Sequence, residues 1–192
     1  MKMTERFWGR KFARRATGSI WLVFVLLGIS MSPCYAEVVG AAADGFQLEL
    51  NRETDLDSTG TFELLVTGFG KWWDADHSYS GKSENLSMDI ERQCMYERLP
   101  NRGFVRHMEI VFYQPGEMLR LTGGLGPLQE MGVKGTLVFK VTSSGASHGT
   151  RIQLQYTVVG FSQQQLDKLA PVVDQVLSGQ LDRLKQLCHE SL

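Results

Sequence analysis

A single long apolar stripe towards the C-terminal end constrains this chain more than any other feature. Leu166, Leu169, Val173, Val176, Leu177, Leu181, Leu184 and Cys188 recur at steps of three and four, the spacing that lines up one face of an α-helix. Ser162, with Gln165 three residues on, has the form of a capping box, in which each side chain satisfies a backbone amide left free at a helix start. A helix from Ser162 to about Glu190 would run ~40 Å at ~1.5 Å per residue, enough to cross a small sheet. Pro171 bends such a helix early, and Gly179 weakens it by ~1 kcal/mol relative to alanine. One apolar face needs one apolar partner surface.

The rest of the chain supplies strands. Phe46-Gln47-Leu48-Glu49-Leu50 and Leu86-Ser87-Met88-Asp89-Ile90 alternate with period two, as half-buried strands do. Cys94 to Leu99 and Phe104 to Gln114 flank Pro100-Asn101-Arg102-Gly103, a hairpin loop, and Pro115-Gly116 turns the chain into Met118 to Thr122. Val133 to Thr142 and Thr150 to Val159 form a last hairpin around Ser143-Ser144-Gly145-Ala146-Ser147. Asp57 or Ser58 caps a short helix through Thr61, Phe62, Leu64 and Leu65, which ends near Gly68 and Gly70. Glu37 to Gly45 reads as a small-residue lead-in. The expected architecture is α+β: a seven-stranded, mostly antiparallel sheet that buries the stripe of one long C-terminal helix.

The front of the chain has a different character. Lys2, Arg6, Arg10, Lys11, Arg14 and Arg15 stand against one acid, Glu5; Ile20 to Met31 is uncharged, and Ser32-Pro33-Cys34-Tyr35-Ala36 breaks the run. A basic front, a short apolar centre and a small residue at the end are the parts of a secretory signal peptide, so residues 1–36 are expected to be cleaved and residues 37–192 exported, periplasmic or secreted. An uncleaved inner-membrane anchor is the alternative, with the basic front on the cytoplasmic side. Pro33 speaks against lipid attachment at Cys34, and Ala16-Thr17-Gly18 after Arg14-Arg15 against twin-arginine export. Removing six basic groups and one acid takes the formal charge from −1 to −6. An acidic domain argues against nucleic acid and anionic lipid surfaces, which require clustered lysine and arginine. Any membrane contact is expected only through the signal segment.

Two cysteines follow that segment, Cys94 and Cys188, and an oxidising compartment would allow them to pair. There is no Cys-x-x-Cys and the histidines are scattered, so neither a metal nor a cofactor is expected.

At this point the chain resembles the SRPBCC superfamily, the START-like and polyketide-cyclase-like helix-grip domains, in particular exported bacterial members. The resemblance spans Phe46 to Leu187. It is carried by Gly70-Lys71-Trp72-Trp73 with His77 and Gly81, Met95-Tyr96-Glu97-Arg98 and His107, Leu119-Arg120-Leu121 with Gly124-Leu125-Gly126-Pro127-Leu128, Gly135-Thr136-Leu137, and Ala170-Pro171-Val172-Val173-Asp174-Gln175-Val176-Leu177. It implies a helix-grip fold with a cavity between sheet and long helix, used across the superfamily for lipids, polyketides, hormones and other apolar molecules. Some relatives are cyclases or dehydratases and many only bind, so the site has to be argued from residues.

Trp72 and Trp73 are each large enough to close such a cavity over a ligand, or to plug the gap between the short helices and the sheet. His77 and Tyr79 follow in a polar loop. Glu97 and His107 occupy consecutive strands of one hairpin: a five-residue loop would set them opposite each other as an acid-base pair, whereas a four-residue loop would pair Glu97 with Arg106. Tyr113 and Tyr156 are candidate donors within strands. Leu137, Phe139, Leu154 and Val158 suit an apolar wall, with Val173 and Val176 facing it from the helix. Gly123-Gly124-Leu125-Gly126 lacks the Gly-Lys-Ser or Gly-Lys-Thr of a phosphate loop and reads as a tight turn on a cavity rim.

No Gly-x-Ser-x-Gly elbow and no cysteine-histidine arrangement assembles a nucleophile. The expected function is therefore binding of a hydrophobic small molecule or lipid. An enzyme of the cyclase or dehydratase kind acting through Glu97 and His107 is the alternative, and a protein-interaction module a third.

Overall fold

The computed structural model describes residues 37–145 and 149–192. The expected signal peptide, residues 1–36, lies outside them, as do residues 146–148.

Eight strands form one antiparallel sheet, one more than the alternation of the sequence indicates. They are β1 (Glu37–Ala42), β2 (Gly45–Thr54), β3 (Leu86–Asp89), β4 (Cys94–Arg98), β5 (Phe104–Gln114), β6 (Met118–Gly123), β7 (Lys134–Ser143) and β8 (Thr150–Val159), ordered β1-β2-β8-β7-β6-β5-β4-β3. The added strand is β1, which corrects the reading of Glu37 to Gly45 as a lead-in. Its glycine and alanines have low strand propensity, and it forms by pairing along β2, Glu37 with Glu49 and Ala42 with Gly45.

Three helices pack on the inner face: α1 (Ser58–Thr67), α2 (Phe69–Trp72) and α3 (Leu166–Glu190). Asp57 caps α1 as expected, its carboxylate accepting from the Gly60 amide at 2.7 Å. The capping box expected at the start of α3 is absent. Ser162 Oγ accepts from the Gln164 amide instead, and the helix begins at Leu166, whose amide donates to the Ala43 carbonyl at 3.0 Å in the β1–β2 turn. The turn thus satisfies the free helix-start amide that a side chain was expected to take.

Alternation places Phe46, Leu48 and Leu50 of β2, Leu137, Phe139 and Val141 of β7, and Ile152, Leu154 and Tyr156 of β8 inward, all buried in one core. Leu166, Ala170, Leu177, Leu181, Leu184 and Cys188 meet them from α3. A buried arginine fastens this helix to the sheet: Arg52 of β2 donates to Asp182 and to Ser178 Oγ. Cys94 and Cys188 are separate, buried thiols.

Tyr156 owes its place to Gly135 on the neighbouring strand. A Cβ on Gly135 would lie 2.6 Å from the Tyr156 ring and 2.7 Å from its hydroxyl, and Tyr156 is fully buried. Gly135→Ala is therefore expected to destabilise the domain by about 1–3 kcal/mol, the cost of overpacking a closed core, measurable as a lower midpoint in urea denaturation.

Candidate functional site

The buried stripe of α3 is interrupted. Between Ala170 and Leu177, Val173 and Val176 are only half-buried, because a cavity of about 450 Å³ lies against this part of the helix. Its other walls are the segment Trp73 to Tyr79, Met95 and His107 on the sheet, and the loop from Leu125 to Met131 after β6. This volume is within the range of small-molecule sites, and the mostly apolar lining suits an apolar guest. Met95 and Met131 add unbranched, adaptable surface.

The two tryptophans take different parts. Trp72 is a plug: it is buried against Phe69 and Phe139, and its indole Nε1 donates to the Leu65 carbonyl. Trp73 lines the cavity, with its Nε1 donating to the His77 carbonyl at 3.0 Å. His77 pins the loop through its backbone while its imidazole stays on the exposed rim. The same segment is held to α3 by the Asp74 amide, which donates to Gln180 Oε1 at 2.8 Å, and by an Arg183–Asp74 ion pair.

Glu97 and His107 do meet, in neither of the two registers considered from the sequence. Arg98 pairs with Phe104 and Glu97 with Val105, so His107 is the diagonal neighbour of Glu97 on the same face. A β-bulge follows, with Tyr96 opposite Arg106 but Met95 opposite Met108. The extra residue is His107, and consecutive residues His107 and Met108 are both buried, which a regular strand would not allow. His107 Nε2 lies 2.9 Å from Glu97 Oε2, and the carboxylate also accepts from the Ser80 amide at 2.6 Å and the Tyr79 amide at 3.2 Å. The Tyr79 ring stacks on the imidazole, 5.7 Å between centroids.

The electrostatics follow from this arrangement. Burial alone would raise the Glu97 carboxyl, but hydrogen bonds from Ser80, His107 and Tyr79 outweigh it and hold the group below its ordinary range. Burial pushes the His107 imidazole down, and the neighbouring carboxylate only partly offsets this. The pair is therefore a carboxylate and a neutral imidazole at pH 7. Nε2 carries the proton it donates to Glu97, and Nδ1 is buried without a hydrogen-bond partner among the described residues. Nitrogen-detected NMR is expected to show the Nε2–H tautomer at neutral pH and a titration midpoint below 6.5. A titration midpoint at or above that value would contradict the burial argument.

Of the residues singled out from sequence, Trp73, His77, Tyr79, His107, Val173 and Val176 border the cavity, and Glu97 stands directly behind His107. The others do not. Leu137, Phe139, Leu154 and Tyr156 are core, covered by the helices, and Tyr113 is half-exposed against Phe62 of α1. Of the glycine-rich stretch, Leu125 and Gly126 border the cavity, together with Pro127 and Leu128 that follow, while Gly123 and Gly124 do not. Met95, Met131 and Leu169 were missed: their pattern is that of any core residue. Among the described residues no cluster of histidine, cysteine and carboxylate could hold a metal.

No family model and no curated protein sequence matches the chain. Solved structures do. The chain is similar to a conserved protein of unknown function from Enterococcus faecalis, at 12% identity over 80% of this chain and 77% of that one, with a TM-score of 0.53. It is also similar to a protein from Rhizobium loti, at 17% identity over 74% and 96% of the two chains with a TM-score of 0.55, and to one from Bacillus thuringiensis, at 10% over 74% and 98% with a TM-score of 0.54. At these identities the likeness is one of fold: an α+β domain with a large antiparallel sheet.

Proposed function

We propose that this domain is a helix-grip protein of the SRPBCC kind that binds a hydrophobic small molecule or lipid between its sheet and its C-terminal helix. The observation that carries the reading is the interrupted stripe of α3: Val173 and Val176 face a cavity of about 450 Å³ where a structural helix would face packed core. Among the described residues His107 is the one buried ionisable side chain on a mostly apolar inner wall; the polar lining groups Asp76, His77, Ser78, Tyr79 and Gln164 sit at least partly exposed around the mouth. The basic, apolar and small-residue front of the chain supports export, and with it a periplasmic or secreted carrier.

A second reading is favoured by the same pair. An imidazole oriented by a carboxylate through one nitrogen, with the other nitrogen unpaired beside a cavity, is the arrangement of a general base. On that reading the domain transforms its apolar guest, and Glu97 positions His107.

Native mass spectrometry of the protein purified from its own host tests the first reading. One apolar molecule per chain, released on denaturation, is the expected result. A mass of the bare chain that persists after incubation with the host's lipid extract would count against it and leave an interaction module.

A further inference from the structure

We infer that the cavity selects apolar molecules that carry a hydrogen-bond donor, an alcohol or a phenol, over molecules that carry only acceptors or a carboxylate. The inference rests on the binding reading above and names the chemistry of its ligand.

Both oxygens of Glu97 are already occupied by donors. The Ser80 amide takes Oε1, and the Tyr79 amide and His107 Nε2 take Oε2. Backbone amides can only donate, so the carboxylate acts as an acceptor throughout and His107 must present its Nε2–H to it. A neutral imidazole has one such hydrogen. Nδ1 is then a bare acceptor, buried, without a partner among the described residues, on a side chain only 3% exposed that borders the cavity. Tyr79 stacks on the face of the ring and is itself 46% exposed, so a guest meets Nδ1 at the ring edge, where the cavity side chains over it give way.

A ligand hydroxyl donates to that lone pair and satisfies it. An ether or ketone oxygen meets it lone pair to lone pair, and a carboxylate meets in addition the negative charge of Glu97 behind the ring. Nothing nearby offsets that repulsion. Among the described residues no lysine or arginine borders the cavity, and the other ionisable groups at its mouth are Asp76, His77 and Tyr79, with Glu130 beside Tyr79.

The test is isothermal titration calorimetry of the full chain with 1-decanol, 1-methoxydecane and decanoate, repeated on Val176→Trp, together with the nitrogen resonances of His107. The alcohol is expected to bind ten- to a hundredfold more tightly than either analogue, the scale of one buried acceptor left unpaired. Its addition should move the Nδ1 resonance while leaving Nε2 protonated. Equal or tighter binding of the ether or the carboxylate, abolished by Val176→Trp, would overturn the donor preference and leave the cavity reading standing. Binding that survives Val176→Trp, or no binding by any of the three, would overturn both. The resonance shift is read on the unsubstituted protein, so the outcome does not depend on a His107 variant that folds.

Discussion

Glu97→Ala is expected to lower the stability of the domain by about 3–5 kcal/mol, the cost of leaving several buried donors without the carboxylate that accepts from them. The substitution leaves the Tyr79 and Ser80 amides and the His107 Nε2–H without their acceptor in a site where Glu97 is 0% exposed. Glu97→Gln should lose less, about 1–3 kcal/mol, because its amide oxygen still accepts while its amide nitrogen faces donors. Guanidinium denaturation of the two variants measures the difference. A Glu97→Ala variant as stable as the parent would mean that the carboxylate is a surface group and that the cavity wall is built differently. The same pair sets the response to acid. Both folded-state pKa values are depressed, so each group contributes stability above its unfolded value that is lost as pH falls through the folded one. Stability should therefore begin to fall below about pH 6.5 as His107 is forced to charge, and more steeply below the ordinary carboxyl range as Glu97 is protonated. A His107→Asn variant should remove the first phase and keep the second.

Val176→Trp is expected to abolish ligand binding, by a hundredfold or more, at little cost in stability. Val176 borders the cavity from α3 and is only half-buried, so an indole has open volume to enter instead of packed neighbours to displace. The contrast with Leu181 defines the experiment. Leu181 lies one further turn along the same stripe and is 0% exposed, so enlarging it would overpack the core and lower stability instead. If Val176→Trp lowered the urea midpoint as a core substitution does, the space beside it would be closed in solution and the binding reading would fail. If stability held and a native ligand still co-purified, the ligand would sit elsewhere on the molecule. Val173→Phe, about one turn earlier on the same helix, offers an independent filling of the cavity.

The long helix and the strands were legible because their signals are local. Eight inward positions at steps of three and four need no knowledge of what they pack against, and alternation in Phe46 to Leu50 or Thr150 to Val159 reports burial on one side of a sheet whatever covers it. Where partners came from afar, the local signal misled. The first strand carries a glycine and two alanines after Val38 and Val39, too short a signal to read as a strand, and forms because β2 offers it an edge; the amide at the start of α3 is taken by a carbonyl more than a hundred residues earlier in the chain.

The sequence by itself determined that one apolar-faced helix lies on an antiparallel sheet, and that a glutamate and a histidine stand in neighbouring strands. Only the tertiary structure decided that they touch, since the turn between the strands sets Glu97 opposite Val105 and so His107 on its diagonal, whereas a register one residue different would separate the two side chains. It also decided which inward residues line a cavity. Leu137, Phe139 and Val176 all point inward with the same chemistry, but the helices cross over the first two and leave the third beside open volume. Periodicity records the face a side chain occupies; the distance to whatever lies opposite is set by how the elements cross, which no local pattern contains.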